Sequence, residues 1–123
     1  MSEPQLTILL VDDEPAIRRI GVRVLQRAGF KCIEAADGQD GFKLWQEQRD
    51  AIALVITDVM MPRQSGWELV LAVRGTGSKV PFVVTSGYDA SEVVPPGIDE
   101  GVMVVGKPWE AAQLVAAVKQ MIG

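Results

Sequence analysis

Residues 6–15 read LTILLVDDEP, and this stretch decides the fold class. Residues 6–11 form an unbroken apolar run, which is typical of a strand buried on both faces. Acids and Pro15 follow at once, and both suit the positive N-terminal end of a helix. Apolar residues at helical spacing then continue as far as Gly29, a natural helix stop. The stretch therefore predicts a buried strand that passes directly into an amphipathic helix.

The same alternation continues along the rest of the chain. The further predicted strands are residues 31–35, 53–57, 81–86 and 102–105. Because these short strands alternate with amphipathic helices, we expect an α/β fold with parallel strands covered on both faces. Pro95 and Pro96 would break a helix, so we expect at most a short turn of helix between the fourth and fifth strands.

Composition limits the class of protein. The chain has 123 residues, 48% of them hydrophobic and 23% charged, which fits one globular domain. A net charge of −4 without a basic stripe argues against direct nucleic-acid binding. We see no signal peptide and no apolar run long enough for a membrane span, so we expect a cytoplasmic location. The absence of histidine excludes His-based acid–base catalysis and His metal ligands.

Polar residues gather where the predicted strands end, at the edge where open parallel sheets bind ligands. The first strand is followed by Asp12 and Asp13, the third by Asp58, the fourth ends in Thr85 and Ser86, and the fifth leads to Lys107 and Pro108. Three neighbouring carboxylates repel unless a cation compensates. Oxygen ligands alone suit a hard cation, and a small set of them suits Mg²⁺ over Ca²⁺. A hydroxyl and an ammonium beside such a metal are what a phosphoryl group requires.

The phosphoryl group could belong to a bound ligand or be taken up by the protein. The phosphate loops GxxxxGK[ST] and GxGxxG do not follow the first strand, where a nucleotide would need backbone donors. We therefore favour a covalent phosphoryl group on one of the aspartates.

The segments LLVDDEP, ITDVMMPRQSGWEL, VVTSGY and VGKPW resemble the receiver domain of two-component response regulators, in that family's order and spacing. The resemblance spans residues 6–122 and implies a single receiver domain over residues 1–123. It implies a doubly wound (βα)5 flavodoxin-like sheet of strand order 2-1-3-4-5, here with a short or irregular fourth helix. It also implies a phosphorylated signalling switch rather than an enzyme. Its partner would be a sensor histidine kinase, or a phosphotransfer protein of a phosphorelay, that donates from a phosphohistidine.

The resemblance assigns roles at the metal site by position. Asp58 is the implied phosphoacceptor. Asp13 would bind Mg²⁺ directly, with Mn²⁺ as the alternative ion, and Asp12 would help largely through water. Asp58 itself and the backbone carbonyl of Met60 would complete the protein ligands.

The remaining assignments concern the phosphoryl group and the switch. Ser86 and Lys107 would bind the phosphoryl oxygens, with Thr85 as the alternative to Ser86. Pro108 would follow a cis peptide bond. Tyr88, together with the Met60 side chain, would tune water access and phosphoryl lifetime.

Two departures from the family pattern concern signalling output. The position three before the lysine is usually an aromatic residue that moves inward, and here it is Val104. The prolines after the fourth strand affect the fourth helix. Among the tryptophans, we expect Trp45 in the core and expect Trp67 and Trp109, beside the site loops, to be more exposed.

Three other functions are weaker interpretations. A small phosphatase or phosphotransferase using Asp58 for turnover, as in haloacid-dehalogenase-like enzymes, would need an acid two residues later, where Met60 stands. A phosphate-independent docking module would tolerate loss of an acid or of the lysine, yet all are present. A flavin-binding protein would need a hydroxyl-rich loop after the first strand, which the sequence lacks.

Overall fold

The computed structural model describes residues 5–61, 64–87 and 94–122. The elements of this part of the chain are β1 (Thr7–Val11), α1 (Pro15–Arg27), β2 (Lys31–Ala35), α2 (Gly38–Gln48), β3 (Ile52–Asp58), α3 (Gly66–Gly75), β4 (Phe82–Ser86), β5 (Val102–Gly106) and α4 (Ala111–Ile122). All neighbouring strands pair in parallel, in the order β2-β1-β3-β4-β5. The predicted fold class and strand order are confirmed.

The region between β4 and β5 is described only in part. Residues 87 and 94–101 contain no helix among the described residues. The predicted turn of helix falls mainly on residues 88–93, which lie outside them.

Two apolar clusters cover the two faces of the sheet. Successive side chains of a strand point to opposite faces, which explains why β1 is apolar from Ile8 to Val11. One cluster joins β1 to α2 and α3 and includes Leu9, Val11, Trp45, Val55, Leu69 and Phe82. The other joins β1 to α1 and α4 and includes Ile8, Leu10, Leu25, Leu54, Ile56 and Leu114. The helices are therefore divided between the faces, which leaves the carboxyl ends of the strands free to form a site.

Local signals set where the helices begin. The Asp37 side chain caps α2 by accepting a hydrogen bond from the Asp40 amide at 2.9 Å. Ser65 and Glu68 form a reciprocal capping box at the start of α3. Pro15 stands at the first position of α1. These helix starts follow the strand ends closely, so short loops carry the polar residues.

The tryptophans only partly match their predicted exposure. Trp45 is buried as expected. The exposure predicted for Trp67 is wrong, since Trp67 is only 8% exposed and packs in the cluster of α2 and α3. The reason is that α3 lies against the sheet from its first turn, so its second residue faces the core. Trp109 is half-buried against the opposite cluster.

Candidate functional site

Asp58 is the last residue of β3, and its side chain is buried although it is acidic. Its carboxylate oxygen Oδ1 accepts a weak hydrogen bond from the Met60 amide at 3.4 Å. Its backbone carbonyl accepts from the Thr57 hydroxyl at 3.1 Å. In the register of β3 and β4, Asp58 stands beside Thr85. The strand therefore holds the carboxylate at the carboxyl edge of the sheet.

Asp12 lies at the matching end of β1 and is also buried. Its Oδ1 accepts a hydrogen bond from the Glu14 amide at 2.9 Å. The Arg18 guanidinium donates to the Asp12 backbone carbonyl at 2.7 Å and pairs with Glu34 on β2 at 3.0 Å. These contacts fix the loop between β1 and α1 from both sides.

Lys107 joins these two strand ends. Its ammonium Nζ lies 2.8 Å from Asp58 Oδ2, 3.2 Å from Asp12 Oδ2 and 3.6 Å from Glu14 Oε1. Its backbone amide donates to the Ser86 carbonyl at 2.7 Å, which ties the end of β5 to the end of β4. The peptide bond between Lys107 and Pro108 is cis. Among the described residues, one cation thus contacts three carboxylates.

The unequal number of positive and negative groups affects the ionisation of both Asp58 and Lys107. Burial raises the pKa of the Asp58 carboxyl above its ordinary 3.8, and the Asp12 charge adds to the rise, while Lys107 opposes it. Burial alone would lower the pKa of the Lys107 ammonium. Its hydrogen bond to Asp58 and the charges of Asp12 and Asp58 outweigh burial, so that pKa is raised above 10.5. Among the described residues, the Lys107 ammonium faces more negative charge than it can neutralise, and the three carboxylates share one positive charge.

The carboxylates fit a divalent cation. Ligand oxygens of Asp12, Glu14 and Asp58 lie within 4.8 Å of one another. Asp12 and Asp58 are the buried members of this group and would hold such an ion, whereas Glu14 is exposed, and oxygen ligands alone suit Mg²⁺. Asp13, the predicted direct ligand, is half-exposed and does not belong to this carboxylate group.

Glu14 is the site residue that sequence reasoning missed. The acids before Pro15 suit a helix N-terminus, and that interpretation concealed Glu14. In the structure Glu14 is the N-cap residue of α1, but its side chain makes no capping hydrogen bond. Its carboxylate is directed to Lys107 instead.

The other predicted site residues differ in their surroundings. Ser86 and Thr85 are both buried at the end of β4. The Met60 side chain is 62% exposed beside the site. Tyr88 lies outside the described residues. Val104 stands opposite Val84 in the sheet and packs, half-buried, against the cluster of α2 and α3.

A groove adjoins the site on the side of α1. It has a volume of about 420 Å³, and its lining residues are Glu14, Ile17, Ile20, Lys107, Pro108 and Trp109. Ile20 is an exposed apolar residue on α1. The groove therefore presents apolar surface directly beside Lys107. No helix in the described ranges is long and apolar enough to cross a membrane.

Comparison with known sequences gives a consistent family. A model of the response regulator receiver domain matches residues 8–119. The sensor kinase CckA of Brucella abortus (strain 2308) is 36% identical over 118 residues, which are 94% of this chain and 12% of that protein. The transcriptional regulatory protein HprR of Escherichia coli (strain K12) is 28% identical over 118 residues, 95% of this chain and 52% of that protein. The chain thus spans only part of these relatives.

Solved structures agree with the sequence matches. The crystal structure of the receiver domain from the hybrid histidine kinase CckA is 33% identical, has a TM-score of 0.82, and is matched over 95% of this chain and 99% of that one. A response regulator receiver protein from Sinorhizobium medicae WSM419 is 29% identical with a TM-score of 0.86, over 96% and 94% of the two chains. The buried aspartate and lysine of this site lie on a fold of that kind, and the chain belongs to the family of response regulator receiver domains.

Proposed function

We propose that the chain is a cytoplasmic signalling switch that accepts a phosphoryl group on Asp58, in a Mg²⁺-dependent reaction, from a phosphohistidine of a sensor histidine kinase or phosphotransfer protein. The observation that carries the proposal is the contact of the Lys107 ammonium with two buried carboxylates, Asp58 and Asp12. A buried nucleophile beside one fixed cation is suited to phosphoryl transfer.

The transfer step uses groups of this chain. An Asp58 carboxylate oxygen attacks phosphorus, the N–P bond of the donor breaks, and its electron pair returns to the imidazole nitrogen. Lys107 then pairs with a phosphoryl oxygen in place of Asp58 Oδ2, and the Ser86 hydroxyl binds another. Bound at Asp12 and Asp58, Mg²⁺ would neutralise charge on the phosphoryl oxygens.

The new anionic group acts on the ends of β4 and β5. Lys107 contacts both the carboxylate and the Ser86 backbone carbonyl. A shift of its ammonium towards the phosphoryl group biases the loops after these strands between two states. The product is a modified protein, and the chain performs slow self-dephosphorylation instead of turning over a free substrate.

Acetyl phosphate tests the modification itself. We expect the protein to gain one phosphoryl group in the presence of Mg²⁺ and none after chelation with EDTA, because the site then lacks the charge to hold a phosphoryl group. Phos-tag electrophoresis and intact mass would measure the modification. Modification that is unaffected by EDTA would refute the metal dependence, and steady release of phosphate from a small phosphomonoester would favour a phosphatase.

The groove beside the site is the surface we propose for the donor protein. A donor must bring its phosphohistidine to Asp58, and the groove that contains Ile20 and Trp109 offers apolar surface beside Lys107. We expect Ile20→Asp to slow phosphoryl transfer from a phosphorylated phosphotransfer protein about tenfold. The rate of phosphorylation by acetyl phosphate should be unchanged.

Leu71→Asp is the matched control, because Leu71 is a similarly exposed apolar residue on a different helix, α3. The measurement is the time course of phosphoryl transfer from a phosphotransfer protein that phosphorylates the wild type. Equal slowing by both variants, or slowing with acetyl phosphate as well, would contradict a docking role for the groove.

A further inference from the structure

Glu14 presents a third carboxylate to the Lys107 ammonium, at 3.6 Å. Its side chain is 62% exposed, whereas those of Asp12 and Asp58 are buried. Among the described carboxylates that contact Lys107, Glu14 is therefore the one at the solvent side of the site.

Local structure gives this side chain no other role. Glu14 occupies the N-cap position of α1, where a side chain commonly accepts a hydrogen bond from the helix backbone. It makes no such bond. Its backbone amide already serves Asp12, so the residue is fixed in place while its carboxylate is oriented to the site.

The position of this charge matters for any donor that comes from solvent. A small phosphodonor is an anion and must pass the rim that Glu14 shares with Lys107. A carboxylate at the rim repels the donor, and it also holds the ammonium that would otherwise attract the donor. A protein donor differs, because its own surface can cover Glu14 and compensate the charge.

We propose that Glu14 is a specificity-determining residue that disfavours small anionic phosphodonors relative to protein donors; this inference rests on the proposed function of Asp58. With acetyl phosphate, an Asp58 oxygen bonds to phosphorus, the P–O bond to acetate breaks, and acetate leaves with the electron pair. Glu14 takes no part in these bonds and acts through its charge alone.

The variant Glu14→Gln tests the proposal in the intact chain. We expect its rate of phosphorylation by acetyl phosphate to rise about threefold to fivefold at low salt, the range of an exposed charge interaction. The gain should disappear at high salt, because an exposed charge is screened. It should be smaller with phosphoramidate, which carries less negative charge. Glu14→Asp keeps the charge and should remain close to wild type.

Glu100→Gln is the matched control, since it removes an exposed carboxylate just before β5, near the opposite end of the sheet from the site. It should leave the rate unchanged at every salt concentration. Titration with Mg²⁺ alone, followed by tryptophan fluorescence, separates the charge effect from metal binding. Glu14→Gln should not raise the Mg²⁺ concentration at which half of the fluorescence change is reached.

Several outcomes would overturn the assignment of Glu14. They are an unchanged or slower rate in Glu14→Gln, a gain that persists at high salt, an equal gain in Glu100→Gln, and a weakened response to Mg²⁺. If the wild type is phosphorylated on Asp58, these results refute the role of Glu14 only. If no donor modifies Asp58 in the wild type, the proposed function fails and this inference fails with it.

Discussion

Asp58→Asn should abolish phosphorylation by acetyl phosphate and by a protein donor, and at pH 7 it should make the fold slightly more stable. An amide oxygen is not a nucleophile for phosphorus, so the modification is lost completely. The folded state becomes more stable because the variant removes the buried negative charge of Asp58, which the Lys107 ammonium shares with Asp12 and Glu14. Lys107 is not left unpaired, since Asp12 remains 3.2 Å away. We expect the free energy of unfolding in urea to rise by about 1 kcal/mol.

The pH dependence of stability gives a second readout of the same change. The pKa of Asp58 is raised in the folded state, so its protonated form is favoured by folding. Its contribution to stability is fully present below the ordinary pKa and is lost as pH rises through the raised value. Urea unfolding from pH 4 upward should show this loss in the wild type and not in Asp58→Asn.

Asp99→Asn is the matched control at the other end of the sheet. Arg74 holds the pKa of Asp99 below its ordinary value through a hydrogen bond of 2.6 Å. Its contribution has the opposite sign, since it is present above the ordinary pKa and is lost as pH falls. Asp99→Asn should be phosphorylated normally. Residual modification of Asp58→Asn at the wild-type rate would refute the assignment of the phosphoacceptor.

Gly66→Ala should destabilise the protein by about 3 kcal/mol, because α3 begins in direct contact with the backbone of the site. A Cβ at Gly66 would overlap the Asp58 carbonyl oxygen and would lie 3.0 Å from the Asp58 carbonyl carbon and 3.1 Å from the Val59 Cα. These are backbone atoms, so no side-chain rotation relieves the overlap. Either α3 or the loop that carries Asp58 must move.

Gly75→Ala, at the other end of the same helix, is the control. No atom of the described residues lies within 4 Å of a Cβ there, and alanine favours helix, so we expect a gain of up to about 1 kcal/mol. Urea unfolding followed by circular dichroism measures both variants. Equal stability of Gly66→Ala and the wild type would contradict this prediction, because it would show that α3 or the loop of Asp58 can move without a loss of stability.

The sheet was predictable from the sequence because its signals are local and repeated. The unbroken apolar run of β1 requires helices on both faces, and regular alternation then favours parallel strands. The proximity of Asp12, Asp58 and Lys107 was also predictable, because parallel strands end at one edge of the sheet. The exact end of a strand depends on pairing with its neighbours and not on local sequence alone. The third strand was predicted to stop before Asp58, but the structure includes Asp58 in β3.

The unpredicted features depend on tertiary contacts. Glu14 has a sufficient local explanation as a helix-start acid, and only the position of Lys107 gives its carboxylate another partner. The burial of Trp67 depends on how α3 packs against the sheet, because that packing places the first turn of the helix in the core. The predicted roles of Asp13, Ser86 and Met60 remain predictions, as does that of Tyr88 outside the described residues.

Within the part of the chain that the structure describes, three carboxylates share the charge of Lys107, and this arrangement lowers stability while it supplies the acids that the proposed phosphorylation requires. A sequence optimised for folding alone would remove one of the buried acids, because the remaining pair would be better balanced. Computational design for stability alone would therefore tend to favour replacement of Asp58 or Asp12. Thermostability is a poor criterion for choosing functional variants of this chain, and a screen must include phosphorylation.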